Sequence, residues 1–366
     1  MGSFCSRADQ IGTSVRLPIG YFTLGPAYCA NTPFESSAAV YQNAWSAVKR
    51  LVGRLTARGI GTLLDLHALP GGANGGDHSG TNSGKAELWK SKKNLDLATR
   101  CLLFIAHEAR SMDGVIGLQL INEADWDAPG MYGWYDSVIG QIGGIDNTVP
   151  LYISDAWNLG TAVGYTNGKN SLHAGRANPI VIDTHLYWAF SDDDKKKNPS
   201  QIANEARSKL SELDGHDGNV VDNGAAQVVV GEYSCVMTED SWAKAAAQEK
   251  ENLVREFGQA QTQRYQQRTG GSYFWTYRMV RFILPFAMLI LTRTSGLDGR
   301  WRVGLQATDQ QRSHHSAQQS CPFQRRRSGS YRTRTVSGRW QVRTELRQSL
   351  QLLGLQSSWR LRALAI

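Results

Sequence analysis

With 366 residues and 41% hydrophobic content the chain is long and apolar enough to bury a core, which excludes an intrinsically disordered polymer. The net charge of +8 does not point to nucleic acid, because residues 280–366 hold fifteen Arg and no Lys against two Asp and one Glu. That local +12 leaves residues 1–279 at −4, mildly acidic and without a basic stripe. Five scattered cysteines, at positions 5, 29, 101, 235 and 321, have no CxxC spacing and suggest neither a zinc site nor a dense disulfide framework.

The opening MGSFCS has neither the basic nor the apolar region of a secretory signal; Gly2 with Ser6 fits only the short N-myristoylation pattern, which chance often produces. SVRLPIGY (Ser14 to Tyr21) reads as a strand, Ala39 to Arg58 as a helix and GTLLDLH (Gly61 to His67) as a strand. Leu95 to Met112 follows as a helix, with apolar residues near i, i+3 and i+4. VIGLQLINE (Val115 to Glu123), LYISDAW (Leu151 to Trp157), IVIDTHLY (Ile180 to Tyr187), QVVVGEYS (Gln227 to Ser234) and SYFWTY (Ser272 to Tyr277) read as five more strands. Seven apolar strands alternating with helices predict a parallel sheet covered on both faces. SDDDKKK (Ser191 to Lys197) reads as a solvated loop and Asp65 as structural.

An open doubly wound sheet and a closed (β/α)8 barrel both fit this alternation. His67, Asn122, Glu123, Asp155, His185, Tyr187, Glu232 and Trp275 fall at or near strand C-terminal ends, with Arg16 early in the first strand. Polar groups at nearly every strand end suit a barrel, whose strand ends converge on one mouth. An open sheet gathers ligand groups mainly at one switch point, and there is no GxGxxG or P-loop. The α/β fold predicted is therefore a (β/α)8 TIM barrel that is incomplete, one strand short.

Two glutamates end strands, Glu123 after LQLIN and Glu232 after VVVG. A pair of carboxyl groups about 5 to 5.5 Å apart is what hydrolysis of a glycosidic bond with retention requires. Asn122 can donate to a sugar hydroxyl; His67, His185 and Tyr187 supply hydrogen bonds and pKa control. Taken singly, a strand-end Glu is more often a solvated or capping carboxylate, a lone His a satisfied core group, and Trp275 part of the core. Their joint placement is what favours chemistry.

VRLPIGY, LLDLHALPGGANGGDHSG, LQLINEA, THLYW, VVVGEYS and YFWTY together resemble the glycoside hydrolase family 5 barrel, the cellulase-type family, and most closely its fungal exo-β-1,3-glucanase branch. The resemblance runs from about Ser14 to Met279. It implies Glu123 as general acid/base, Glu232 as nucleophile, Arg16 holding the nucleophile ionised, His67 and Asn122 on the sugar, His185 and Tyr187 positioning the two carboxylates, and Trp275 as the stacking platform. The Gly-rich stretch Gly71 to Gly80 would frame the entrance. Two departures stand out: Ala124 where the family has Pro after the Glu, and Tyr233 where it has Trp.

The family begins with a strand and helix ahead of VRLPIGY, so the first barrel strand is expected to be missing, leaving unpaired edges. At Val280 the resemblance stops and Arg, Ser and Gln take over. Residues 1–279 therefore read as the hydrolase domain, N-terminally truncated, and 280–366 as a disordered basic tail or a frame-shifted artefact. Codons permitted by Leu297 to Leu305, read one nucleotide later, encode Trp-Met-Asp-Gly-Gly-Glu-Trp-Gly, as a retained intron would produce. FILPFAMLIL (Phe282 to Leu291) is too short to span a bilayer.

The expected function is a retaining glycosidase on β-glucan, exo-acting on β-1,3 linkages, with no metal or other cofactor. Its partner would be the polysaccharide, with no nucleic acid and no membrane span, and the working unit a monomer. By resemblance it belongs outside the cell or in the cell wall, although the chain carries no signal peptide. A catalytically inactive sugar-binding remnant and an endo-acting glucanase or mannanase are the rival readings.

Overall fold

Short β-branched runs set between amphipathic helices leave one economical arrangement, strands side by side with helices across their outer face. The structure, a computed structural model, describes residues 13–81, 83–170, 178–214 and 226–276. Seven parallel strands form one sheet in chain order: β1 (Ser14–Gly20), β2 (Gly61–Ala68), β3 (Val115–Gln119), β4 (Leu151–Ser154), β5 (Ile180–Trp188), β6 (Gln227–Met237) and β7 (Ser272–Phe274). The sheet curls until its edges nearly meet: the Ser14 hydroxyl of β1 donates to the Tyr273 hydroxyl of β7 across 3.2 Å. It is a nearly closed barrel with flanking helices.

The helices form where capping and periodicity direct. Ala44–Thr56 buries Trp45, Val48 and Val52 on one stripe. Lys92–Ala109 starts at Ser91, whose hydroxyl accepts from the Asn94 amide. Pro199–Ser208 begins with a capping box between Asn198 and Gln201 and with Pro at its first turn. The long Lys250–Arg268 buries Phe257 and Tyr265, and Phe257 meets Trp188 of β5 edge to face. Most of the buried apolar residues form the layer between helices and sheet. A second, small cluster of Leu63, Tyr152 and Val229, with Val181 and Tyr273 against it, fills the inside of the barrel. Its three buried members come from β2, β4 and β6, the alternate-strand pattern of a barrel interior.

Several boundaries differ from the sequence expectation. Strands β3 and β4 stop at Gln119 and Ser154, short of the polar residues that follow. The helix expected from Ala39 starts at Ala44, after a 3-10 turn over Glu35–Tyr41. SDDDKKK is not a loop: Ser191 and Asp194 cap a short helix, Asp192–Lys196, and Asp194 is buried while bonding the Ser191 and Phe190 amides. Residues 277–366, including FILPFAMLIL and the Arg-rich segment, lie outside the described residues, as do Cys5 and Cys321. Cys29, Cys101 and Cys235 are free thiols. No helix among the described residues is long and apolar enough to cross a membrane.

The interior cluster depends on a small residue beside it. A Cβ on Gly117 would fall 2.4 Å from the Tyr152 ring, inside any real contact. Gly117→Ala is expected to lower stability by about 1–3 kcal/mol, seen as an earlier urea midpoint with unchanged slope; an unmoved midpoint would mean that the ring swings aside.

Candidate active site

Inward positions of parallel strands repeat every second residue, and toward the C-terminal ends of β2 and β5 those positions are polar: Asp65 and His67, then Asp183, His185 and Tyr187. At the C-terminal side of the barrel they converge on Arg16, a buried guanidinium from β1. Its Nε donates to Gln119 Oε1 at 2.7 Å, Nη1 to Glu232 Oε1 at 2.8 Å and Nη2 to Asn122 Oδ1 at 2.6 Å. Nη2 also lies 3.1 Å from Asp65 Oδ2 and 3.5 Å from Asp183 Oδ2. Burial alone would weaken the guanidinium's hold on its proton, but Asp65, Asp183 and Glu232 more than reverse this, and its pKa rises.

Glu123 and Glu232 face each other across His185. The imidazole Nδ1 is 2.8 Å from Glu123 Oε1 and 3.7 Å from Glu232 Oε2, while Nε2 is 3.1 Å from Asp183 Oδ2. With carboxylates at both nitrogens the ring is an imidazolium: against the opposing effect of burial, Asp183 and then Glu123 push its pKa up to about 10. One oxygen each of Glu123 and Glu232 and one nitrogen of His185 lie within 4.8 Å of one another. These three groups have the donor chemistry to hold a cation, and a protonated His185 between carboxylates supplies the same balancing charge without one. Tyr187 donates to Glu232 Oε2 at 3.0 Å; burial, with the charge of Glu232, raises its phenol pKa and keeps it a donor.

Glu123 sits in the left-handed region at φ 42, a strained conformation for a non-glycine residue. Its carbonyl accepts from Asn74 Nδ2 at 2.7 Å, and the next residue, Ala124, donates its amide to Ser154 Oγ at 3.1 Å, a bond that the family's Pro could not make. Burial favours its neutral form, but hydrogen bonds from His185 and then His78 outweigh this and hold the carboxyl below the ordinary range.

The structure thus brings Arg16, Asn122, Glu123, His185, Tyr187 and Glu232 into one network. His67 and Trp275 stand beside it, their rings stacked at 5.7 Å and 4° between planes. His67 Nδ1 is 2.7 Å from Asp65 Oδ2, and its Nε2 is 3.5 Å from Asn122 Nδ2. Asp155 stays outside: buried, it accepts from Thr184 Oγ1 and the Trp157 amide, and burial pushes its pKa to about 6 despite those bonds. Tyr233 packs edge to face on Tyr265 and Phe274.

Three polar members, Gln119, Asp183 and His78, were not singled out from the sequence, and Asp65 was read only as structural. Asp65, Gln119 and Asp183 bear directly on Arg16, and Asp183 also accepts from Gln119 Nε2. For Asp65 and Asp183 the signal was available, because each lies two before a strand-end histidine and shares its face, whereas Gln119 is followed two residues on by apolar Ile121. His78 carried no comparable signal: its contact with Glu123 depends on the path of a glycine-rich loop. Trp126, Trp157 and Phe190 are exposed on the segments that follow β3, β4 and β5, around the same mouth.

No family model matches the chain. Over 278 residues it is 31% identical to glucan 1,3-beta-glucosidase 3 of Schizosaccharomyces pombe, covering 76% of this chain and 56% of that protein. It is 28% identical to an uncharacterized glycosyl hydrolase of Saccharomyces cerevisiae, covering 72% and 51%. The chain spans about half the length of these curated relatives. Among solved structures it is similar to an endoglucanase Cel5A from Pseudomonas stutzeri, with a TM-score of 0.47 and 14% identity over 74% of this chain and 75% of that one.

Replacing the guanidinium tests how far the buried carboxylates depend on it. Arg16→Met leaves Asp65, Asp183 and Glu232 without their cation and is expected to cost about 3–5 kcal/mol at neutral pH. Asp183, whose pKa is depressed despite burial by His185 and Arg16, contributes stability that is lost as pH falls. The deficit of the variant should therefore shrink toward acid pH in denaturant titrations; a deficit equal at all pH values would assign it to packing alone.

Proposed function

We propose that this chain is a retaining β-glycosidase of the glycoside hydrolase family 5 type, acting on β-glucan. The observation that carries the reading is the pair Glu123 and Glu232, with carboxylate oxygens within 4.8 Å across an imidazolium at the open end of the barrel. That spacing suits double displacement, where the second carboxylate must touch the anomeric carbon, and leaves no room for the water that an inverting site holds between its carboxyls.

In this reading Glu232 attacks the anomeric carbon, its carboxylate oriented by Arg16 at Oε1 and by Tyr187 at Oε2. A glycosyl ester forms while Glu123 gives a proton to the departing oxygen; Glu123 then takes a proton from water, which breaks the ester. Asn122 and His67 border the space for the reacting sugar, and the face of Trp275 is the platform beneath it. Exposed Trp126, Trp157 and Phe190 give further aromatic faces for a chain of sugars. Preference for β-1,3 linkages and release of single glucose units is supported by the name of the Schizosaccharomyces pombe relative.

Hydrolysis of an aryl β-glucoside and of laminarin by the full chain tests the activity, and glucose as the sole early product tests the exo mode. Glu232→Gln is expected to lower kcat by about 10³-fold or more while laminari-oligosaccharides still bind in calorimetry. Turnover that survives the substitution removes Glu232 as nucleophile, and binding without turnover in the unaltered chain would favour a sugar-binding remnant.

A further inference from the structure

Both oxygens of Glu123 are occupied, in two different ways. Oε1 meets buried His185, whereas Oε2 meets His78 Nε2 at 3.0 Å, and the His78 side chain is 48% exposed. His78 belongs to the 3-10 turn Asp77–Ser79 in the loop after β2. That loop is pinned at several points. The Leu69 amide donates to the Ser79 carbonyl at 2.8 Å, Ser79 Oγ donates to the carbonyls of Asn74 and Gly76, and Asn74 Oδ1 accepts from the Gly76 amide. Asn74 Nδ2 then grips the Glu123 carbonyl, and the Asp125 amide donates to the Ala73 carbonyl at 3.0 Å. Gly76 leaves the room that the imidazole fills, since a Cβ there would stand 2.5 Å from its Cε1. The loop holds the backbone of Glu123 and its outward oxygen together.

We propose that His78 is a positioning residue that stores the proton used by Glu123, so that the alkaline limit of the reaction belongs to the His78–Glu123 pair and not to a lone carboxyl. The inference rests on the reading of Glu123 as acid/base. The groups facing His78 are Glu123 beyond β3, Glu232 on β6, His185 on β5 and His67 on β2, whose ring is 5.7 Å away, with Asp77 beside it in its own turn. The Glu123 hydrogen bond raises its pKa against the effect of burial; the charges of Glu123 and Glu232 add to this and His185 opposes it.

Before a sugar binds, the raised pKa of His78 and the lowered pKa of Glu123 favour the proton on Nε2 of His78 with Glu123 as a carboxylate. A bound sugar expels water, and a neutral acid beside a neutral imidazole costs less to desolvate than an ion pair. The N–H bond at Nε2 breaks and an O–H bond forms at Oε2, leaving Nε2 with its lone pair. Glu123 passes this proton to the leaving oxygen as the glycosidic bond breaks, and regains one from the attacking water, so the pair ends the cycle with the proton it began with. His185 is the poorer store, because Asp183 and Glu123 both hold its protons and it is buried. The two-proton-site pair titrates as a unit. Below its upper pKa the proton is present; as pH rises through that value it is lost, and activity with it.

The test is the pH profile of His78→Gln, whose amide can still donate to Oε2 but carries no titratable proton. On a laminari-oligosaccharide the alkaline limb of kcat/KM should move to lower pH by about one unit or more, a loss of about tenfold near neutrality. On a dinitrophenyl β-glucoside, whose phenolate leaves without a proton, the loss should be smaller by about that same factor. An unmoved limb, or equal losses on the two substrates, overturns the proposal. NMR of the histidine ring nitrogens gives a readout independent of turnover: the His78 midpoint should fall in Glu123→Gln, and an unchanged midpoint overturns the pairing. If the unaltered chain cleaves neither substrate, the glycosidase reading fails by itself, and the NMR titration still decides whether His78 and Glu123 share a proton.

Discussion

A single buried guanidinium sets the terms for this barrel. Arg16 enters from β1 and is bonded to, or paired with, residues from β2, β3, β5 and β6 and with Asn122 beyond β3. A buried cation without partners is prohibitively costly, whereas one with every donor satisfied fixes the position of each partner. Five strands are therefore held in register at the level where Glu232 emerges. The shift in pairing between β5 and β6 at Thr184 and His185 falls at this level, as does the one between β6 and β7 after Val230. Such irregularities re-aim side chains, and here they turn both Gly231 and Glu232 toward the same interior. Gly231 must lack a side chain, because a Cβ would fall 1.7 Å from Asp183 Oδ1.

The barrel interior is divided by chemistry along its axis. Leu63, Tyr152 and Val229 close one end with an apolar plug. Above it the same strands, two residues on, carry Asp65, Ser154 and Gly231, and the remaining strands add Gln119 and Asp183. The outer face of the sheet is mostly apolar where helices cover it, with Thr62 and Thr184 as buried polar exceptions. Period-two geometry thus lets one strand serve the core with one face and the site with the other.

This division explains what the sequence disclosed. The strands were legible because apolar β-branched runs of that length have few alternatives, and their polar ends marked the mouth. Glu123, His185 and Glu232 stood out for that reason. Asp183 was overlooked and Asp65 was read as structural although LDLH and IDTHLY place them on the face of His67 and His185; a lone Asp inside an apolar strand reads as structural until its facing partner is known. Gln119 needs the same knowledge of Arg16. His78 could not be derived from pattern at all, since several positive-φ glycines, among them Gly71, Gly72 and Gly80, set the loop path. The capped turn at Ser191 was misread because charge density was weighed above the Ser-x-x-Asp spacing that caps it.

Charge balance connects these features to the chemistry. Four carboxylates, on Asp65, Asp183, Glu123 and Glu232, converge within one network, and Arg16 and the His185 imidazolium are its two buried cations. The two cations divide their work. Arg16 contacts Asp65, Asp183 and Glu232 but not Glu123, while His185, at 2.8 Å from Glu123 and 3.7 Å from Glu232, is among the described residues the only buried cation against Glu123 and shares Asp183 with Arg16. Glu232 is thereby tied to a group that cannot give up its proton, and Glu123 to imidazoles that can. A fixed charge suits a carboxylate that must remain an anion, and an exchangeable one suits a carboxyl that must alternate between acid and base. On the proposed reading, the asymmetry of the partners, more than any difference between two chemically identical side chains, is what separates the roles of the two glutamates.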